Sequence, residues 1–260
     1  MKTILIQAVR VAPKIISVVF LCGAMVPASW AAGNAASGRL DTTFGNGGLV
    51  STTISAGGFG GTLAAFLSLK IQADGKLVGV GGQSGGEVLI TRFLVDGSLD
   101  PSFGIGGIVH INIPGRSLAL QADGKIVVGG TVDVQPQPGS RDFVVARYNS
   151  DGSPDTSFGT AGKVVTDFNA SWDNLVDIAI KADGKILALG STVDVQTNRT
   201  EIALVSYNSD GSLDASFGNN GKVVSNFFLV FNTPAALALQ ADGKIVVAGT
   251  SYFANATSGS

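Results

Sequence analysis

Few side chains in this sequence are equipped for a reaction. His110 is the single histidine. It stands between Val109 and Ile111, and an imidazole in such an apolar run reads as a strand residue, not as a general base or metal ligand. Cys22 is the single cysteine, and it lies in an N-terminal segment expected to be removed, which leaves neither thiolate nor disulfide. No His-Glu-x-x-His pair, Walker loop or Gly-x-Ser-x-Gly elbow occurs. The run Asn149–Asp155, NSDGSPD, alternates oxygen-bearing side chains as a calcium loop does. Its glycine stands fourth, where a wrapped calcium loop needs it sixth, and the phrase returns as NSDGSLD at 208–214. Asp74, Asp123, Asp183 and Asp242 occupy one repeated position. A catalytic carboxylate pair needs two unlike environments, which one repeated position does not supply. The expectation is no catalytic residue, no cofactor-binding residue, no metal ligand and no cofactor.

Three side chains remain as candidates for recognition. Trp172 offers a flat face on which a sugar ring or a peptide could stack, although a partly buried loop anchor is the plainer reading. Arg141 and Arg199 lie in connections of variable composition and read as solvated side chains by default. What brings these three to one place, or keeps them apart, is the set of elements that carries them.

Those elements repeat. Asp-Gly-Lys occurs at 74–76, 123–125, 183–185 and 242–244. A second phrase occurs as LDTTFG (40–45), LDPSFG (99–104), PDTSFG (154–159) and LDASFG (213–218). The segment LALQADGKIVV is spelled at 118–128 and again, letter for letter, at 237–247. Such self-similarity at a period of 49 to 60 residues marks one supersecondary unit written several times. Within it, strand A alternates apolar and smaller residues before Asp-Gly (Leu69 and Ile71, Leu118 and Leu120, Ile178 and Ile180, Leu237 and Leu239), a period of two. Strand B follows at once, and Asp-Gly predicts a tight two-residue turn with both central residues at positive φ. Strand B is apolar throughout and rich in Gly and Ala, as a strand covered on both faces is. Strand C opens on an acid (Glu87, Asp142, Glu201) and closes on an aromatic (Phe93, Tyr148, Tyr207). Strand D follows a Phe-Gly elbow, whose Phe44, Phe103, Phe158 and Phe217 read as wedges between neighbouring units.

Four antiparallel strands with both faces apolar, repeated with little gap, predict an all-β fold, a β-propeller or partial propeller. The count is about four blades: three complete units, about 67–113, 117–168 and 176–227, plus a D strand at the N-terminus (40–54) and an A–B hairpin at the C-terminus. A lone unit cannot bury both faces of its sheet, so the blades must cover one another. Strand direction puts the A–B and C–D turns on one rim, nearly constant in length. The B–C and D–A connections on the other rim vary, and variable loops on a rigid scaffold are where binding resides. Trp172, Arg141 and Arg199 all fall on that variable rim.

The paired phrases A-L-x-x-Q-A-D-G-K-I-V-V-x-G and R-Y-N-S-D-G-S-x-D-x-S-F-G resemble the delta-60 repeat family of β-propeller-like exported bacterial proteins. The resemblance runs from residue 39 to about 251 and brings no catalytic residues with it. More distantly, the hairpin looks like that of six-bladed NHL-type repeats.

The N-terminus reads as an address. Lys2, Arg10 and Lys14 precede the apolar run Ile15–Val26, then Pro27 and small residues, the order of a secretory signal peptide over 1–31. A linker (32–38) leads to the repeats (39–260). Removing 1–31 takes away three cations and no anions, so a formal net charge of −2 becomes −5. A mildly acidic chain argues against nucleic acid as a partner, and the mature chain is expected not to insert in a membrane. The composition points to a secreted, periplasmic or cell-surface, non-catalytic scaffold whose partner is a protein or a glycan. Self-association through open blade edges is a further expectation. The alternatives are a propeller hydrolase or lyase with an unrecognised site, or a fragment of a larger cell-surface protein.

Overall fold

The computed structural model describes residues 43–50, 64–83, 88–134, 140–168, 172–194, 196–225 and 231–252. The expected signal peptide and linker lie outside them. The described residues contain strands and turns and no helix.

The A–B hairpin shows how local chemistry sets the unit. Gln72 N–H donates to Lys76 O at 2.8 Å and Gly75 N–H to Gln72 O at 2.9 Å. Gly75 has φ of 85°, and Asp74 is not among the residues of positive φ. This is the three-residue hairpin loop, a type I turn closed by a left-handed glycine, and not the two-residue turn expected from Asp-Gly. The reason lies in the aspartate: its Oδ1 accepts the Lys76 N–H at 3.2 Å, which fixes Asp74 in the right-handed region. Asp123, Asp183 and Asp242 hold the same bond at 3.1–3.2 Å.

Three blades follow in order. The first is β1 (Ala64–Ile71), β2 (Leu77–Gln83), β3 (Val88–Phe93) and β4 (Ile108–Ile111). The second is β5 (Gly115–Leu120), β6 (Ile126–Asp133), β7 (Arg141–Tyr148) and β8 (Lys163–Thr166). The third is β9 (Asn174–Ile180), β10 (Ile186–Asp194), β11 (Arg199–Tyr207) and β12 (Lys222–Ser225). Each is an antiparallel meander in the order A-B-C-D. The A strands start two or three residues before the expected unit limits. A last hairpin, β13 (Phe231–Leu239) and β14 (Ile245–Tyr252), joins the third blade by one parallel bridge, Thr200 to Phe231. The expected N-terminal D strand lies partly outside the described residues. Its described part, 43–50, is a turn around the bridge Asn46 to Leu49.

Strand A carries a bulge in every unit, between Gly115 and Ser117 in the second blade. The bulge brings the A-strand backbone so close to strand B that a Cβ on Gly130 would overlap the Pro114 carbonyl, and one on Gly190 the Asn174 carbonyl. The glycines of strand B answer that approach. The two-faced burial of strand B is also visible. Ile126 and Val128 join a core shared with Val78, Val80 and Ile90 of the first blade. Val127, between them, joins a core shared with Leu175, Ile178 and Ile186 of the third. Period-two alternation thus sends neighbouring side chains into different interblade cores.

The interfaces between blades are specific. Leu118 N–H donates to Ser68 Oγ at 3.2 Å, Ile178 N–H to Ser117 Oγ at 3.3 Å and Leu237 N–H to Asp177 Oδ2 at 2.9 Å. One side chain per A strand therefore takes an N–H from the next A strand, beside the bulge. Farther out, three of the four elbow glycines dock on the next blade's C–D turn: Gly45 N–H on Asp96 O at 2.7 Å, Gly104 N–H on Asp151 O at 2.9 Å, Gly159 N–H on Asp210 O at 2.8 Å. The wedge reading of the phenylalanines holds there. Phe44, Phe103 and Phe158 are buried, against Gly97, Gly152 and Gly211 of the next blade. Phe217 is only half-buried.

Candidate ligand site on the variable rim

Two sets of polar side chains lie on the blades, and they differ in kind. The first is written by the repeat. Arg147 Nε donates to Asp155 Oδ2 at 2.7 Å, Lys125 Nζ lies 2.9 Å from the same oxygen, and the Ser157 hydroxyl donates to Oδ1 at 2.6 Å. Arg147 also bonds Ser209 O of the third blade and lies 4.7 Å from the centre of the Phe158 ring. Arg92, Lys76, Asp100, Ser102 and Phe103 repeat the arrangement in the first blade. The lysine of Asp-Gly-Lys and the aspartate of the Ser-Phe-Gly phrase are thus ion-pair partners. In the third blade Ser206 takes the arginine's place and donates to Asp214 Oδ2 at 3.2 Å. The first carboxylate oxygen of Asp151 is likewise used, by the Ser153 N–H at 2.9 Å and its hydroxyl at 2.7 Å, so the NSDGS run is a turn clamp.

The second set is on the other rim and occurs once, where the second blade meets the third. Trp172 lies in the connection from β8 to β9, paired in parallel with Arg141 at the start of β7. The residue is 57% exposed, which leaves part of the ring covered and part open to solvent. The Arg141 guanidinium lies 5.1 Å from the centre of its ring, a cation–π contact. Arg141 Nε donates to Asp133 Oδ1 at 2.9 Å, which aims the guanidinium across the rim. Arg199 is exposed at the corresponding end of the third blade's hairpin, in register with Asp194, which the Gln196 N–H and the Thr197 hydroxyl hold below the usual carboxylate range, with Arg199 adding least. The structure thus brings Trp172 and Arg141 together and sets Arg199 on the neighbouring blade. His110 is exposed on β4, opposite Leu89.

Next in sequence to Trp172 and Arg141 stand Asp173 and Asp142, two of three carboxylates that sequence reasoning did not assemble. Asp142 is the second residue of β7, Asp167 follows β8, and Asp173 precedes β9. One carboxylate oxygen from each lies within 4.8 Å of one from each of the others. Asp142 and Asp173 are buried and Asp167 is exposed. Asp173 is positioned by backbone: its N–H donates to Arg141 O at 2.9 Å, and its Oδ2 accepts the Phe168 N–H at 2.7 Å. Its Oδ1 is buried with no hydrogen-bond partner among the described residues. Burial, with Asp167 and Asp142 adding to it, pushes the Asp173 carboxyl up to about 6. The Thr192 hydroxyl, which reaches Phe168 O at 3.3 Å, and the Phe168 N–H offset part of that rise. Asp142 is raised by burial and by Asp167, against the pull of Lys222. Lys222 Nζ donates to the Asp167 carbonyl at 2.7 Å and sits 5.4 Å from the centre of the Phe168 ring. A signal for this cluster was present. Where this connection has Asp167 and Asp173, the preceding one has Asn112 and Ile113 and the following one Asn226 and Asn232.

Four segments, 72–103, 121–158, 181–217 and 240–260, match the family model described as "Domain of unknown function (DUF5122) beta-propeller". The first three run from just after an A strand, through B and C, to the wedge phenylalanine: Phe103, Phe158 and Phe217. No match to a curated protein was found. Each of the three blades and the last hairpin thus contains one segment that matches the DUF5122 β-propeller repeat.

Proposed function

We propose that this chain is an exported, non-catalytic propeller scaffold that binds a protein or a glycan through the rim of B–C and D–A connections. The carrying observation is Trp172, exposed at 57% and stacked by Arg141 on a rim whose connections differ from blade to blade. An exposed indole with a cation on one side leaves its other side for a sugar ring or an aromatic or proline side chain. Export rests on the signal-like order of residues 1–31, and the resemblance to delta-60 repeats points the same way. The scaffold reading also rests on the inventory of reactive residues. The repeat's buried charges are matched to one another, which is structural chemistry.

Trp172 is the single tryptophan once 1–31 is removed, so intrinsic fluorescence reports on this place alone. Titration with soluble oligosaccharides and peptides is expected to shift or quench that emission. Trp172→Ala is expected to weaken the binding tenfold or more with the fold unchanged. If no ligand class perturbs Trp172, or if bound ligand is retained by Trp172→Ala, the rim assignment fails.

One observation favours a second property, membership of a larger assembly. Val246 on the last hairpin is 43% exposed, whereas Val127, the same letter of the same phrase, is fully buried. An uncovered blade face and strand edge invite pairing with another chain. Concentration-dependent mass in light scattering, abolished by Val246→Lys, is the expected result; a constant monomer mass removes this second reading.

A further inference from the structure

We infer that Asp142, Asp167 and Asp173 form a binding site for a divalent cation of the calcium class, at the junction of the second and third blades. The inference stands whether or not the rim takes a ligand. Its first support is geometric. The three carboxylate oxygens lie within 4.8 Å of one another. A calcium ion accepts six to eight oxygens at about 2.3–2.6 Å in a flexible geometry, whereas magnesium demands a near-ideal octahedron at about 2.0–2.1 Å and keeps its waters, so carboxylates gathered from three separate segments suit calcium better. Oxygen donors alone suit a hard cation and not zinc or copper, which favour nitrogen and sulfur.

The second support is independent of the clustering. Asp173 is 0% exposed, and its Oδ1 has no hydrogen-bond partner among the described residues. A buried carboxylate oxygen left so is costly unless a cation or a proton occupies it. The neighbouring cations do not fill the place. Lys222 gives its hydrogen bond to the Asp167 carbonyl, and Arg141 is engaged with Asp133 and the Trp172 ring. Three carboxylates against one nearby ammonium leave a local excess of negative charge for a divalent cation to neutralise.

The third support is that the repeat does not demand two of these residues. The buried carboxylates of the other rim recur in each blade with an assigned partner, whereas Asp167 and Asp173 stand where the other units have Asn or Ile, and only here do they join the acid that opens strand C, Asp142 in the place of Glu87 and Glu201. The three ligands come from strand C of one blade, the end of its strand D and the start of the next A strand. A bound ion would therefore tie two blades together beside Trp172, with exposed Asp167 as the way in.

Terbium, a calcium-sized lanthanide excited through the adjacent Trp172, tests the site in the full chain, with Trp172→Phe as the optical control. The expected result is sensitised emission that Ca2+ displaces and Mg2+ at equal concentration does not. Tm is expected to rise on adding Ca2+ and to return with a chelator. Asp173→Asn and Asp167→Asn are each expected to weaken Ca2+ at least tenfold. Asp167 is exposed, so its variant keeps the fold and decides the matter if Asp173→Asn does not fold. No Ca2+ effect on either readout overturns the inference and leaves a proton on Asp173 as the occupant. Unchanged Ca2+ affinity in the Asp167 variant overturns it too, and equal displacement by Mg2+ overturns the size assignment.

Discussion

At the scale of single residues, the letters that make the repeat recognisable are mostly partners of one another. Asp155 sits between Arg147 and Lys125 with Ser157 bonded to its second oxygen, and Arg147 carries the connection to the third blade through Ser209 O. Removing one member of such a buried set leaves charge uncompensated. Arg147→Ala is expected to cost about 3 kcal/mol in urea unfolding, whereas Ser206→Ala, at the equivalent place in the third blade, is expected to cost about 1 kcal/mol. Equal losses would refute the interblade role of the arginine. The same sets dictate acid behaviour. Asp100 and Asp214 are held well below the usual carboxylate range, chiefly by the Ser102 and Ser216 hydroxyls, with Lys76 and Lys185 assisting. Burial pushes Asp155 up, but Ser157, Lys125 and Arg147 together bring it well below that range. A carboxyl depressed in the folded state adds stability that is complete above its unfolded value, about 3.9, and is lost as pH falls through the folded one. The urea midpoint is therefore expected to fall steadily below about pH 4, and less steeply in Asp155→Asn; identical slopes in the two proteins would contradict this assignment.

At the scale of elements, the hairpins and the wedges can be tested separately. Gly124, at φ of 83°, closes the second blade's A–B loop. Gly124→Val is expected to cost about 1–2 kcal/mol, because a Cβ in the left-handed region meets the following carbonyl. Phe158 is fully buried between two blades and Phe217, its repeat equivalent, is half-buried. Phe158→Ala is expected to cost about 3–5 kcal/mol, and Phe217→Ala clearly less, both read as shifts in urea midpoint. Most of this level was legible in the sequence. Period-two alternation placed the strands, Asp-Gly placed the hairpins, and the elbow phenylalanines were legible as wedges because an apolar ring recurring after a polar turn has only the next unit to enter. The turn type was not legible, because it depends on whether the aspartate side chain captures the Lys N–H two residues on. The A-strand bulge was not legible either, since it is set by pairing with strand B.

At the scale of the whole molecule, the blades form an arc in which each covers the next. Among the described residues β13 and β14 do not pack against β1–β4, and the last hairpin lacks a covering blade. LALQADGKIVV therefore exists in two states within one chain. At 118–128 its Leu118, Ile126, Val127 and Val128 are fully buried; at 237–247 Leu237, Ile245 and Val247 are partly covered and Val246 is exposed. Hydrogen exchange is expected to separate them, with amides 126–128 protected to near the global unfolding limit and amides 245–247 exchanging faster. Equal protection would mean that something covers the last hairpin in solution, and its loss on dilution would identify that cover as a second copy.

The sequence by itself determined the repeat, the strands, the positions of the hairpins and the all-β class, because alternation and turn chemistry act over a few residues and are written there. It also placed Trp172, Arg141 and Arg199 on one rim, because strand direction alone fixes which connections share an end. Only the tertiary structure decided that Arg141 stacks on Trp172 while Arg199 stands on the next blade, and that Asp142, Asp167 and Asp173 converge. Arg141 and Trp172 are 31 positions apart, and Asp142 stands 25 and 31 positions from Asp167 and Asp173; they meet only because a D strand hands the chain to the next blade beside the C strand it has just paired. For the same reason eleven identical letters are core in one place and surface in another: burial belongs to the neighbour that supplies it.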